Sequence, residues 1–108
     1  MNRKDTTRIV QEDGKENGRF VLFENDIFAG EMIYTWKGKT TFSIDHTTVD
    51  PNFGGKGYGK LLVIQAVEFA KENGLKIEPL CSYAKKVIEK NQNLQEVLNN
   101  QIRPHSLR

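Results

Sequence analysis

The chain has 108 residues, of which 37% are hydrophobic and 28% are charged, and its formal net charge is +2. This length and composition predict a single domain over residues 1–108 and exclude collagen, a disulfide scaffold and a low-complexity disordered chain. No apolar run approaches the roughly 20 residues of a membrane helix, and the charged N-terminus lacks the apolar stretch of a secretory signal. The lone cysteine excludes an internal disulfide, which fits a reducing compartment. We therefore expect a cytoplasmic protein without membrane attachment, either a monomer or a small homo-oligomer.

The first half of the chain predicts antiparallel strands joined by tight turns. Apolar residues alternate between turn signals rich in Gly, Asn and Asp. The predicted strands cover residues 8–12, 19–24, 27–36 and 40–49. On the last strand, Phe42 and Ile44 are expected to share a face with His46 and Thr48, because alternate side chains of a strand point the same way.

The second half changes to a helical period. A stripe with i, i+4 spacing predicts a helix over residues 60–73, and Gly74 follows it as a left-handed stop. A short strand over residues 75–77 precedes Pro79, which interrupts or ends it. Ser82 is expected to cap a second helix that runs to about Asn91, and a last helical turn covers residues 94–100.

A helix between two strands of one sheet requires a parallel pair and a right-handed crossover. The predicted fold is therefore α+β: a mixed, mostly antiparallel sheet, a strand-loop-helix segment, and a second half ordered helix, strand, helix. Residues 1–6 and 101–108 are predicted to be loose ends.

Four glycines lie within six residues between the fourth strand and the first helix: Gly54, Gly55, Gly57 and Gly59. Glycines allow the backbone to approach a phosphate closely, and the first amides of a helix bind anions. Lys56 and Lys60 can add charge at the rim. Residues 1–54 hold 7 basic and 9 acidic side chains, whereas residues 55–108 hold 9 basic and 5 acidic ones, so the net charge changes from −2 to +4 at the glycine cluster. This balance favours a phosphate-bearing ligand or reflects solvated helix lysines. No basic cluster is interleaved with aromatics, so nucleic acid binding is not expected.

Three phosphate-binding motifs compete for this loop. The P-loop pattern fits at Gly59 and Lys60, but the next residue, Leu61, cannot ligate Mg²⁺. The dinucleotide fingerprint has the wrong glycine spacing. The (Gln/Arg)-x-x-Gly-x-(Gly/Ala) turn, which binds the pyrophosphate of coenzyme A (CoA), fits at Gly57 and Gly59 in the required strand-to-helix context. A glycine-rich turn without a ligand is the remaining interpretation.

Three separated segments, at residues 46–49, 55–62 and 80–83, together resemble the small, single-domain branch of the GCN5-related N-acetyltransferases. They read His-Thr-Thr-Val, Gly-Lys-Gly-Tyr-Gly-Lys-Leu-Leu and Leu-Cys-Ser-Tyr. The similarity runs from about residue 19 to residue 98. It implies an acetyl-CoA-binding fold in which the strand before the loop splays from its neighbour and the pantetheine arm lies in the gap.

The resemblance also implies which residues contact the cofactor. The strand end at residues 46–49 would offer backbone groups to the pantetheine and the acetyl carbonyl. The loop would hold the pyrophosphate, and Asn91 matches a position near the cofactor. Gly54 departs from the Gln or Arg of the motif, so one side-chain contact is lost. The full set of predicted cofactor-binding residues is Thr48, Val49, Gly54, Gly55, Lys56, Gly57, Tyr58, Gly59, Lys60 and Asn91.

Three side chains are candidates for the chemistry of acetyl transfer. His46 can act as a base near neutral pH, or simply belong to the sheet. Cys81 matches the family's cysteine and can act as a nucleophile, or pack as a small buried residue. Tyr83 can protonate the leaving thiolate, or form an amphipathic helix wall. One cysteine and one usable histidine give no metal-ligand spacing, so no metal is expected.

These observations predict an acetyl-CoA-dependent N-acetyltransferase that acts on an unidentified amine of a protein or small molecule. The alternatives are a non-catalytic CoA-binding module and a small structural domain with a fortuitous loop. The pair His46 and Cys81 discriminates between the first two, because catalysis is favoured if both lie close together and line the cofactor gap.

Overall fold

The computed structural model describes residues 6–98, which form a five-stranded sheet with two α-helices packed against one face. The strands are β1 (Thr7–Asp13), β2 (Asn17–Glu24), β3 (Ile27–Trp36), β4 (Thr41–Val49) and β5 (Lys76–Pro79). The helices are α1 (Tyr58–Asn73) and α2 (Ser82–Glu89), and two 3-10 helices cover Pro51–Phe53 and Gln92–Val97.

The strands follow the chain in the order β1-β2-β3-β4-β5 across the sheet. The pairings are antiparallel except for β4 and β5, which are parallel and are joined through α1. The predicted α+β fold with a mixed, mostly antiparallel sheet is therefore confirmed.

The core lies between the sheet and the apolar stripe of α1. The predicted stripe is confirmed, since its members are all fully buried: Leu62, Val63, Ala66, Val67 and Ala70. An aromatic cluster from the strands packs against it, with Phe20, Tyr34 and Phe42 fully or almost fully buried. Neither α-helix in residues 6–98 is long and apolar enough to cross a membrane.

The helix boundaries differ from the predictions in ways that affect the glycine loop. α1 begins at Tyr58, two residues before the predicted start, because Gly57 adopts the left-handed conformation and serves as its N-cap. Ser82 was expected to cap α2, but it is the first helical residue and Cys81 is the N-cap. α2 ends at Glu89, before the predicted end.

The last two predicted elements are also shifted. β5 extends to Pro79 rather than residue 77, since a proline is tolerated at the end of an edge strand. The predicted helical turn over residues 94–100 is a 3-10 helix over Gln92–Val97, and residues 99–100 lie outside the described part. The predicted loose ends also lie outside it, apart from Thr6.

A β-bulge interrupts the pairing of β3 with β4. Tyr34 pairs with Ile44, whereas the preceding Ile33 pairs with His46, so Asp45 is an extra residue. A one-residue bulge moves every side chain beyond it to the opposite face of the sheet. Even-numbered residues of β4 therefore point to the core before the bulge and to the opposite side of the sheet after it.

The bulge overturns the predicted orientation of the end of β4. Phe42 and Ile44 are fully buried, whereas His46 and Thr48 are exposed on the opposite face. The prediction that His46 and Thr48 share the core face is therefore wrong. Thr47 takes that orientation instead, beside the helices.

Tyr34 is a buried tyrosine whose hydroxyl group is fully hydrogen-bonded. It donates to Asp13 Oδ1 at 2.7 Å and accepts from Gln11 Nε2 at 2.8 Å. Trp36 Nε1 donates to the same carboxylate at 2.9 Å. Burial, followed by the Asp13 carboxylate, raises the pKa of Tyr34 well above its usual value. The network ties the end of β1 to β3.

Replacing Tyr34 by phenylalanine is expected to lower the free energy of unfolding by about 1–3 kcal/mol, since a charged acceptor loses a buried donor. Urea unfolding monitored by circular dichroism measures the loss. Tyr83→Phe is the matched control, because Tyr83 is 42% exposed, so that removal of its hydroxyl should change stability by less than about 0.5 kcal/mol. Equal effects of the two variants would contradict a stabilising role for the network.

Candidate functional site

The sheet opens into a fork between β4 and β5. Their parallel pairing ends at Ile44 and Pro79. The carbonyl oxygen of Ile44 then accepts hydrogen bonds from the amides of Leu80 at 3.0 Å and Cys81 at 2.9 Å. Beyond this point β4 continues to Val49 while the chain turns into α2. Within residues 6–98, the last part of β4 therefore has a strand partner on the β3 side only.

A cavity of about 360 Å³ lies where the fork meets the glycine loop. Its walls come from the end of β4, the loop before α1 and the first turn of α2. The lining residues are Thr47, Val49, Phe53, Gly54, Gly55, Gly57, Tyr58, Gly59 and Tyr83.

The loop backbone requires glycine at two positions. Gly55 and Gly57 have φ angles of 81° and 79°, which L side chains rarely adopt. Apart from its chain neighbours, no atom of residues 6–98 would lie within 4 Å of a Cβ atom at either position. Both glycines line the cavity, so the space beside their backbone is open to a ligand.

The first turn of α1 offers amide groups to an anion. Leu61 donates its amide to the carbonyl oxygen of Gly57 at 3.1 Å. The preceding amides of Gly59 and Lys60 have no acceptor in the part of the chain that the structure describes. Amides of this kind, with the partial positive charge of the helix N-terminus, bind phosphate groups. The loop therefore fits a diphosphate.

Gly59 differs from Gly55 and Gly57, because it packs closely against the Tyr83 side chain. A Cβ atom on Gly59 would lie 3.0 Å from both Cε2 and the hydroxyl oxygen of Tyr83. The Tyr83 ring therefore lies directly over the start of α1 and forms a wall of the cavity. Tyr83 as a whole residue is 42% exposed, so its side chain is partly open to solvent.

The loop is tied to β2 through a buried carboxylate. Glu24 is 8% exposed and accepts hydrogen bonds from Lys56 Nζ at 2.6 Å and from the Tyr58 hydroxyl. The hydrogen bond from Lys56, followed by that from Tyr58, lowers the pKa of Glu24 against the opposing effect of burial. Lys56 therefore points to a carboxylate and does not line the cavity.

The lowered pKa of Glu24 makes part of the stability depend on pH. The pairing stabilises the fold fully above the ordinary glutamate value of 4.5, and the contribution is lost as the pH falls through the lowered native pKa. Thermal unfolding of Glu24→Gln between pH 3 and pH 7, at about one-unit steps, should show a flatter acid dependence than wild type. Glu72→Gln, at an exposed position on α1, is the control. Parallel curves for wild type and Glu24→Gln would contradict the linkage.

The structure brings together many of the predicted site residues, but not all of them. The predicted residues that line the cavity are Val49, Gly54, Gly55, Gly57, Tyr58, Gly59 and Tyr83. Those that do not are His46, Thr48, Lys56, Lys60, Cys81 and Asn91.

The predicted residues that do not line the cavity lie in different parts of the fold. Cys81 is half-buried beside the fork, and its Sγ donates to Thr47 Oγ1 at 3.7 Å. His46 is exposed on the opposite face of β4 from Thr47. Asn91 follows the far end of α2, where its Nδ2 donates to the carbonyl oxygen of Val87 at 2.8 Å. Lys60 is exposed on α1.

Two lining residues were missing from the sequence prediction. Phe53 ends the 3-10 helix before the glycines, and an apolar residue directly before such a loop was a usable signal. Thr47 faces the cavity only because of the bulge at Asp45, and no local signal indicates a bulge there. Among residues 6–98, no group of three or more His, Cys, Asp or Glu residues is placed to hold a metal ion.

Comparison with known proteins identifies the fold. The family model of the GCN5-related N-acetyltransferases matches residues 19–97. A GCN5-like protein from Staphylococcus aureus, solved by NMR, is 36% identical, with a TM-score of 0.63 over 83% of this chain and 87% of that chain. Protein NATD1 from Xenopus tropicalis is 35% identical over 60 residues, which are 56% of this chain and 55% of that protein. The match therefore spans about half the length of the frog protein.

A more distant structure shares the fold. It is an acetyltransferase from Elizabethkingia anophelis with acetyl-CoA bound, which is 15% identical. It has a TM-score of 0.61 over 70% of this chain and 65% of that chain. The family model and the Staphylococcus aureus protein both match most of the present chain. The chain therefore belongs to the GCN5-related N-acetyltransferase family.

Proposed function

We propose that this protein is an acetyl-CoA-dependent N-acetyltransferase that acetylates an amine of a protein or small molecule. The observation that carries the proposal is the fork between β4 and β5, which opens directly onto the glycine loop through one continuous cavity. Membership of the family and the acetyl-CoA bound to the Elizabethkingia anophelis relative support it.

The two parts of the cavity suit the two parts of the donor. The amides of Gly59 and Lys60, at the N-terminus of α1, suit the pyrophosphate. The edge of β4 at Thr47 to Val49 has no strand partner on the fork side within residues 6–98, so its backbone groups suit the amides of the pantetheine arm. We therefore assign phosphate binding to the loop and pantetheine binding to the strand.

Acetyl transfer at this site needs few groups from the protein. The neutral amine attacks the thioester carbonyl, the C–N bond forms, the C–S bond breaks, and the departing sulfur takes a proton. Tyr83 is our candidate proton donor, because it is the hydroxyl-bearing side chain of α2 that lines the cavity. The amine releases its proton to solvent or to a base.

Cys81 offers a second route to the same product. Its Sγ would attack the thioester carbonyl as a thiolate, forming an acetyl-enzyme thioester while the bond to the CoA sulfur breaks and CoA leaves as the protonated thiol. The amine would then attack this thioester, forming the amide and returning Cys81 to the free thiol. The direct route is favoured here because Tyr83 lines the cavity, whereas Cys81 lies beside it in contact with Thr47. No step is assigned to His46, since its side chain is on the outer face of β4.

The position of His46 favours one alternative function, a non-catalytic CoA-binding module. The sequence indicated that catalysis is favoured when His46 and Cys81 both line the cofactor gap, and neither lines the cavity. Such a module would bind CoA and acetyl-CoA equally well and would leave acetyl-CoA intact in the presence of amines.

Incubation with acetyl-CoA, followed by intact-protein mass spectrometry and a thermal melt, tests these proposals together. Acetyl-CoA should raise the melting temperature, because a ligand that binds only the native state stabilises it. Added peptide and polyamine acceptors should gain one acetyl group, with Cys81→Ala retaining most of the turnover. No thermal shift at millimolar ligand would overturn both CoA-binding functions. A thermal shift without any acetylated amine would favour the binding module. The covalent route would be assigned if the wild-type protein carried an acetyl-thioester and Cys81→Ala lost both this thioester and the turnover.

A further inference from the structure

Glu24 is a buried charged residue that acetyl transfer does not require. It is the last residue of β2. Among residues 6–98, Glu24 is the one charged residue that is buried. A buried carboxylate is retained only where it is hydrogen-bonded or paired with a cation, and Glu24 has both kinds of contact.

Both hydrogen bonds lead to the phosphate-binding segment. Lys56 belongs to the glycine loop and Tyr58 is the first residue of α1. The Lys56 ammonium group also lies 5.6 Å from the ring centroid of Phe53 and 5.9 Å from that of Tyr58. The lysine is thus held by a carboxylate and by the faces of two rings that line the cavity.

This arrangement changes the electrostatics of the loop. A lysine in a phosphate-binding loop ordinarily adds its charge to that of the helix N-terminus. Here the carboxylate lies 2.6 Å from the ammonium group, so the pair is close to neutral when seen from the cavity. A diphosphate at the loop would be held mainly by the amides of Gly59 and Lys60.

We propose that Glu24 is a positioning residue that holds Lys56 against Phe53 and Tyr58 and withholds its charge from the phosphate groups of CoA. This inference rests on the proposed CoA-binding function. It assigns Glu24 a role in limiting affinity for CoA, which is also the product of the reaction and must leave the site in each turnover.

The test compares Glu24→Gln with wild type by calorimetric titration of CoA and of pantetheine, which lacks the phosphates. Glutamine keeps an oxygen that can accept the two hydrogen bonds but removes the negative charge. We expect Glu24→Gln to bind CoA about twofold to fivefold more tightly at low salt, the range for partly exposed charge pairs. The gain should disappear at about 0.3 M salt, where exposed charges are screened. Pantetheine affinity should not change.

Two further variants separate the charge effect from loop support. Lys56→Met in the Glu24→Gln background should abolish the gain, because the released cation is gone. Glu72→Gln carries the same charge change on the exposed surface of α1 and should leave CoA affinity at the wild-type value.

These titrations distinguish failure of the inference about Glu24 from failure of the proposed CoA-binding function. Weaker binding of both CoA and pantetheine by Glu24→Gln, or an equal gain in Glu72→Gln, would overturn the role of Glu24 while leaving CoA binding established. Failure of the wild-type protein to bind CoA at all would overturn the proposed function and, with it, this inference. A salt-sensitive gain confined to CoA and abolished by Lys56→Met would support it.

Discussion

Replacing Gly57 by valine is expected to weaken CoA binding by at least about tenfold, because the new side chain would occupy the space beside the backbone that we propose binds the phosphates. Gly57 has a φ angle of 79° and lines the cavity. Apart from its chain neighbours, a Cβ atom there meets no atom of the described residues within 4 Å, so the added group projects into open space and not into the core. Calorimetric titration of CoA measures the loss.

The valine also strains the backbone, and Gly38→Val controls for that strain. Gly38 lies in the turn between β3 and β4 and has a φ angle of 94°, and a Cβ atom added to it would meet open space, as at Gly57. Each variant should lose about 1–2 kcal/mol of stability, the cost of a left-handed L residue. CoA affinity should fall only in Gly57→Val. A similar fall in both variants would show that strain, and not the position in the cavity, is responsible.

The features of the fold that are determined by residues close together in the sequence could be predicted from it. The alternating apolar residues predicted β3 at its observed bounds, and the i, i+4 stripe predicted the buried face of α1. The four clustered glycines located the loop between a strand and a helix, because the requirement for positive φ and for open backbone is local. The resemblance to the acetyltransferases then suggested the CoA-binding function that we propose for that loop.

The parts that depend on distant residues could not be predicted. The bulge at Asp45 arises from the register between β3 and β4, and it exchanges the expected orientations of His46 and Thr47. The pairing of Lys56 with Glu24 joins residues that are 32 positions apart. The sequence therefore indicated a cationic loop, whereas the folded chain largely neutralises that lysine.

These two long-range features change what the site can do. The bulge places a threonine hydroxyl at the fork, beside Cys81, and removes the histidine to the other face. The described residues that line the cavity include no His, Asp, Glu, Lys or Cys side chain. For the acetyl transfer that we propose, the acceptor amine would then have to arrive neutral. The group that this proposed reaction most needs from the protein is a proton donor for the thiolate.

Replacing Tyr83 by phenylalanine is expected to lower the rate of acetyl transfer by about 10²-fold or more, the usual contribution of a positioned acid. CoA affinity should stay at the wild-type value, since the ring that lies over Gly59 is retained and only its hydroxyl is removed. Single-turnover measurements with a peptide amine isolate the chemical step from product release.

The retained affinity is what distinguishes this prediction from a packing role for the tyrosine. Tyr83→Ala removes the ring as well, exposes the start of α1 and should weaken CoA binding in addition to the rate. If Tyr83 were only a wall of the cavity, phenylalanine would preserve the rate and alanine alone would reduce it. A wild-type rate in Tyr83→Phe would therefore exclude the hydroxyl as the proton donor and indicate that solvent protonates the thiolate.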